Sequence, residues 1–329
     1  MKKRLLFFIS LILICCMVGC KGEVDTIKGE MFNEKEATRV GRIYMDELCK
    51  GQDNFINAFK LDHSSEGGDF VFLNYKVMRG NDKGDSIGLD SFDLKVIKNA
   101  EMYSVEEVKS KNTKQVYVDN NTLRILDQDV GQSQLFLRSK DLPREIYSKG
   151  NQLMINKEKV PQGEFSMLAI GFEGNKVALA VKNENKEFLA LALVKESKDT
   201  VAKGGQGDSN NVNNIGIDEL IEKPTVEKIV PYDLIEDSDI EKIVFTSDDA
   251  ELIVQINSEG VSSLKTYKNP SGELIPIDLE SRFPKSKYEV KIDRVNEEGS
   301  FIRVTTIDSR ESEEYLLNLK EMKIIRTKE

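Results

Sequence analysis

The chain has 329 residues, 32% of them charged and 39% hydrophobic, enough for one large domain or two ordinary ones beneath a well-solvated surface. Its formal net charge is −10 and no basic stripe offsets it, which argues against nucleic acid as a partner. Tryptophan is absent and aromatics make up only 7%, which argues against a tryptophan-lined site of the kind many sugar binders use.

The N-terminus reads KKR at 2–4, then LLFFISLILI at 5–14. Even extended through Val18, this apolar run is shorter than the roughly 20 residues that cross a bilayer. A positive start, a short apolar core and small residues at its end make residues 1–19 a secretory signal peptide. The run closes on Met17-Val18-Gly19-Cys20, which resembles the lipobox of bacterial lipoproteins. The resemblance covers only the first twenty residues, and Met17 stands where leucine is usual. It implies that the Cys20 thiol takes up a diacylglycerol and that cleavage falls between Gly19 and Cys20. Acyl chains, palmitate among them, would then hold the protein to the cell membrane on its extracytoplasmic face. In a Gram-negative cell, Lys21 after the cysteine would favour the outer membrane. A thiolate suits this chemistry as the best side-chain nucleophile, and each buried CH₂ contributes about 0.8 kcal/mol of anchoring. Cleavage removes Lys2, Lys3 and Arg4, so the mature chain carries 44 basic and 57 acidic residues, a formal charge of −13.

Cys15 and Cys16 belong to the discarded apolar segment, where cysteine acts as a small hydrophobe. Cys20 and Cys49 remain, with neither a disulfide framework nor a CxxC metal pattern.

Residues 20–32 form a short polar tether. A helix follows, with Asn33 as N-cap and Glu36 completing a capping box. Its apolar face is Ala37, Val40, Tyr44 and Leu48, and Gly51 stops it. Cys49 reads as a half-buried packing residue rather than a reactive thiol. DNFINAFK at 53–60 would add a further helical turn. From 69 the period becomes two: Val71, Leu73, Tyr75 and Val77 share one strand face. Strand-like runs continue as SFDLKVI, KQVYV, TLRIL, SQLFLRS, NQLMINK, EFSMLAIGF, KVALAVK and EFLALALVK, parted by turn-like DNN, KGN, EGN and NEN. Residues 165–195 read as a three-stranded meander.

Residues 196–216 (ESKDTVAKGGQGDSNNVNNIG) break the composition and read as a flexible linker. KGGQGDS lacks the order of a phosphate-binding loop. Beyond it, IDELIEK is a short helix candidate. The strand candidates resume as VEKIV, EKIVFTS, ELIVQIN, VSSLKTYK, ELIPID, YEVKIDRV, SFIRVTTID, EEYLLNL and MKIIRT.

Three stretches look alike: AIGFEGNKVALAV, VFTSDDAELIVQI and VNEEGSFIRVTTI. Each sets a turn before an alternating strand and weakly resembles the hairpins of β-propeller blades. The turns at Gly174, Asp249 and Gly299 are 75 and 50 residues apart, so they show no fixed period.

Chemistry is sparse. His63 is the only histidine and lies in LDHSSEGGD with Asp62, Ser64, Ser65, Glu66 and Asp69. Neighbours in one glycine-rich stretch do not build a triad, no GxSxG elbow occurs, and the segment reads as a surface loop. Asp82, Asp85 and Asp90 in GNDKGDSIGLD lack EF-hand spacing, so turn chemistry explains them. DLIEDSDIE at 233–241 reads as a solvated acidic face.

The expected protein is mainly β: antiparallel meanders behind one N-terminal helix. It has two β-rich lobes, 33–195 and 217–329, or alternatively forms a single irregular propeller. The expected function is a membrane-anchored extracytoplasmic lipoprotein, a non-catalytic binding or assembly module of the cell envelope with a protein partner. No cofactor, metal or nucleic acid is expected, and Cys20 is the one site residue. The alternatives are an envelope-polymer hydrolase using carboxylates and a solute-binding lipoprotein of a transporter. The latter class usually alternates strand and helix, and no such alternation follows residue 60.

Overall fold

The computed structural model describes residues 32–50, 55–81, 83–100, 102–129, 131–147, 157–195 and 222–327. The expected signal peptide, Cys20, the expected tether up to residue 31, Gly51, the 196–216 segment and most of the IDELIEK and NQLMINK candidates lie outside them. Glu34–Glu329 forms one compact unit, and it is mainly β with one long helix at its start.

That helix, α1 (Glu34–Lys50), buries Ala37, Gly41 and Met45 at i, i+4, i+8. Val40, Tyr44 and Leu48 are only half-buried, so the inward stripe is rotated from the expected one. The cause is close packing: a Cβ on Gly41 would lie 2.3 Å from Leu73 Cδ1. The small stripe brings the helix backbone down onto the sheet, where larger side chains would hold it off.

Beneath α1 lies a run of antiparallel strands: β1 (Ile56–Glu66), β2 (Phe70–Arg79), β3 (Ser86–Asn99), β4 (Met102–Asp119), β5 (Thr122–Asp127) and β6 (Gln132–Arg138). Val71, Leu73, Tyr75 and Val77 are all fully buried, as alternation requires. The expected helical turn at 53–60 is instead the start of β1. Ala58 and Phe59 point to opposite faces, across from Met78 and Val77, and both are buried because both faces are covered here. The register shift between Ile56 and Ala58 adds a bulge that further breaks the period-two signal. The expected loop around His63 is likewise part of β1, paired with β2 as far as Glu66.

A short hairpin, β7 (Glu145–Tyr147) with β8 (Lys157–Lys159), leads to a four-stranded sheet. Its members are β9 (Glu164–Ile170), β10 (Lys176–Asn183), β11 (Lys186–Val194) and β12 (Val226–Glu236). A second meander holds β13 (Asp239–Phe245), β14 (Glu251–Ser258), β15 (Val261–Lys268) and β16 (Glu273–Leu274). The ELIPID run yields only that two-residue strand, since Pro276 cannot donate to a ladder, and Asp278 caps α2 (Leu279–Arg282) through Ser281 N–H. A third meander holds β17 (Tyr288–Asn296), β18 (Gly299–Thr306), β19 (Ser312–Asn318) and β20 (Lys323–Arg326). It joins the first sheet where β17 runs parallel to β1 at Ala58↔Val295.

Residues 196–221 connect β11 to β12, which are neighbours in one sheet, and the last pair before the connection is Val194↔Val226. Lys195 N–H donates to Thr225 O at 2.9 Å, closing its base. One buried core continues through residues on both sides of this segment, from Ala58 to Leu319. Without those residues, the spacing from Gly174 to Asp249 falls from 75 to about 49, level with the 50 from Asp249 to Gly299. The three look-alike turns are the first hairpins of the three meanders, β9–β10, β13–β14 and β17–β18. The first two meanders form separate four-stranded sheets that meet through β9 and β13, and β17 of the third, within the first sheet, packs mainly against β15.

Candidate functional site

The one predicted site residue, Cys20, lies outside the described residues; what is described is where the chain from it enters the body. β1 ends, β2 starts, β3 ends and β4 starts at one end of the sheet, as the pairs Glu66↔Val71, Phe70↔Ile97 and Asn99↔Met102 require. Ser64 Oγ donates to Glu34 Oε1 at 2.7 Å, so α1 also begins at that end.

The far end of α1 is fixed by charge. The Arg294 side chain is 8% exposed. Its Nε donates to Asp46 Oδ1 at 2.8 Å and its Nη1 to Asp293 Oδ2 at 3.0 Å. Nη1 also donates to Glu314, and the guanidinium lies 4.0 Å from the Phe301 ring centroid. Asn296 Nδ2 adds a second donor to Asp46 at 3.2 Å. Burial opposes the Arg294 charge, yet the surrounding carboxylates outweigh it and hold the guanidinium above its ordinary pKa. Cys49 borders this cluster; burial and the nearby Asp46 carboxylate push its thiol up to about 12. The half-buried Lys242 donates to Asp293 O at 3.5 Å, and burial lowers its pKa. Asp46 and Arg294 are separated by 248 positions in the chain, and nothing local in either stretch signals the pairing.

A second junction fastens one hairpin to the next. Asp249 accepts from Phe172 N–H at 2.8 Å and Glu173 N–H at 3.2 Å. A Cβ on Gly171 would lie 2.8 Å from that carboxylate, so the approach needs glycine there. A third junction is at Glu222, which accepts from Leu135 N–H at 2.6 Å and from both terminal nitrogens of Arg124.

The other candidate groups do not converge. His63 is 66% exposed beside Asp62. Asp85 accepts from Asn81, whereas Asp90 is buried in β3, paired with Arg79 at 2.7 Å. Asp82 lies outside the described residues. In the acidic run at 233–241, Asp233 accepts from Lys265 and Tyr267, while the exposed Asp239 and Glu236 pair with Lys182 and Lys186. Glu241 shares Ser262 Oγ with Glu289, at 2.7 and 3.4 Å. Burial raises the Glu241 pKa, but bonds from Ser262, Gln255 and Asn257 outweigh it and hold the acid below its ordinary range. Among the described residues, no three His, Cys, Asp or Glu side chains gather to hold a metal.

The grooves are open and mixed in lining. One of about 640 Å³ runs between Asn121, Ser139 and the β10–β11 hairpin. Another lies on the far side of the same hairpin, against Pro161 and Glu236. Neither holds a convergent catalytic set.

No family model matches the chain, and no curated protein does. Solved structures share a weak likeness. The β-propeller domain of Cps50 (Swd1) from Myceliophteria thermophila is 9% identical, with a TM-score of 0.33 over 80% of this chain and 83% of that one. Hsv2 from Kluyvelomyces marxianus is 8% identical, with a TM-score of 0.31 over 83% and 97%. Hydrazine synthase from Kuenenia stuttgartiensis is 11% identical, with a TM-score of 0.31 over 94% and 67%. Likeness at this level carries neither fold nor function, which rest on the chain's own strands and side chains.

Proposed function

We propose that the chain is an extracytoplasmic lipoprotein anchored through Cys20, whose β body is a non-catalytic binding or assembly module of the cell envelope. The observation that carries this is Met17-Val18-Gly19-Cys20 at the end of a short apolar run behind KKR. The body supports the module part: several of its acids and cations are spent on fastening α1 and the meanders together. Asp46, Asp293 and Glu314 gather on Arg294, Asp249 on two backbone N–H groups, and Glu222 on Arg124. A catalytic site instead needs acids held at separated pKa values in a cleft. The partner is an envelope protein that meets the strands and hairpins away from α1.

The test is purification of the tagged chain from membranes of its own host, with Cys20→Ser as control. A stoichiometric partner retained with the wild type and depleted with the control supports the module. A membrane-bound chain that is alone and turns over envelope polymer refutes it in favour of an enzyme.

A further inference from the structure

We infer that the end of the sheet formed by the β1–β2 and β3–β4 turns docks against the bilayer that holds Cys20, through the face carrying Phe70, Phe72, Ile97 and Met102. This rests on the anchoring proposed above. The register places the four residues on one face: Phe70 opposes Ile97, Phe72 opposes Lys95, Ile97 opposes Ser104, and Asn99 opposes Met102. The opposite face, with Leu73 and Tyr75, is covered by α1 through Gly41. Phe72 is 43% and Met102 62% exposed, while Phe70 and Ile97 are half-buried beside them. The Phe70 and Phe72 rings meet edge to face at 5.1 Å, and Lys95 Nζ sits 5.2 Å from the Phe70 centroid. The apolar face is edged by an ion pair, Lys95 with Glu106 at 2.6 Å, an arrangement that can seat at a membrane interface.

The occupant follows from where the chain enters. α1 begins at this same end, beside Ser64. The chain from residue 20 to residue 32 spans at most about 45 Å even when fully extended. A body of this size is itself roughly 50 Å across. A bilayer holding Cys20 therefore lies nearer this end than the opposite one, and the apolar face is the part of that end suited to it.

The chain contains no tryptophan, so Phe72→Trp and Met102→Trp each give a single reporter, with Leu274→Trp on another sheet as control. Each full-length variant is produced in the native host, extracted from membranes and reconstituted in phosphatidylcholine vesicles with and without brominated acyl chains. The expected result is quenching and a blue shift for Trp at 72 and 102 and neither at 274. Equal quenching at all three positions overturns the docking face, because the contact is then unspecific. No quenching in a chain that carries lipid and floats with the vesicles overturns the docking alone. A chain that carries no lipid and does not float overturns the anchoring, and the docking with it.

Discussion

Replacing Arg294 with methionine removes the one cation that Asp46, Asp293 and Glu314 share. The side chain is 8% exposed, and its carboxylate partners are 18%, 12% and 32% exposed. Methionine keeps much of the volume and the contact with Phe301, so the loss is electrostatic and not a cavity. Removing one member of a buried ion pair costs about 3–5 kcal/mol, because the partners stay desolvated and uncompensated. Arg303 on Asp293 and Asn296 on Asp46 soften the loss, so the lower half of that range is expected, about 3 kcal/mol. At roughly 2–4 °C per kcal/mol for a body this large, the melting temperature should fall by about 6–12 °C. Thermal unfolding followed by circular dichroism measures it. Arg294→Lys should recover part of the loss, since a point charge cannot bond Asp46 and Glu314 in the same fork. In a double-mutant cycle with Asp46→Asn, the coupling should exceed about 1 kcal/mol. Hydrogen exchange in α1 should accelerate in Arg294→Met more than exchange in β14. A change below about 1 kcal/mol with α1 exchange unaltered would refute the role given to this cluster.

Glu222 is held below its ordinary 4.5, by Arg124 first and then by Leu135 N–H. A lowered folded pKa means stability that is present above pH 4.5 and lost as pH falls through the folded value. The side chain is 48% exposed, so Glu222→Gln should cost only about 1 kcal/mol at pH 7. The gap to the wild type in urea midpoint should close as the pH drops below 4.5. Gly163→Ala should destabilise by about 1–3 kcal/mol, because its Cβ would lie 1.9 Å from the Lys182 carbonyl oxygen; denaturant melts at fixed pH check it. Cys49, with its thiol pushed up to about 12, should resist iodoacetamide at pH 8 in the native chain and react fully in guanidinium. Rapid native labelling would contradict its packed position.

Much of the β body is legible in the sequence where alternation is clean. Val71 to Val77 are buried on one face, and KVALAVK and EFLALALVK pair as β10 and β11. Three features hide. At the start of β1, Ala58 and Phe59 bury on opposite faces and a bulge follows Ile56, so the strand shows no clean alternation there. The first half of β4, through SVEEVKSK, has too few buried side chains to alternate, so only its KQVYV end reads as a strand. The break at 196–216 hides the repeat, because composition cannot tell a polar spacer between lobes from a long connection between two paired strands. In the structure the flanking strands pair up to Val194↔Val226, with Lys195 N–H on Thr225 O. The junctions were the least legible, since Asp46–Arg294, Asp249–Phe172 and Glu222–Leu135 join residues from 77 to 248 positions apart. Cys20 is the opposite case: its signal is wholly local, a cysteine after Val18-Gly19 at the end of an apolar run.

The most direct test of the account is the mass of the N-terminal peptide from the chain extracted out of its host's membranes. The account predicts a peptide beginning at Cys20 and carrying diacylglycerol, lost from the membrane fraction in Cys20→Ser. A chain that keeps residues 1–19, or starts at Cys20 with a bare thiol, would contradict it.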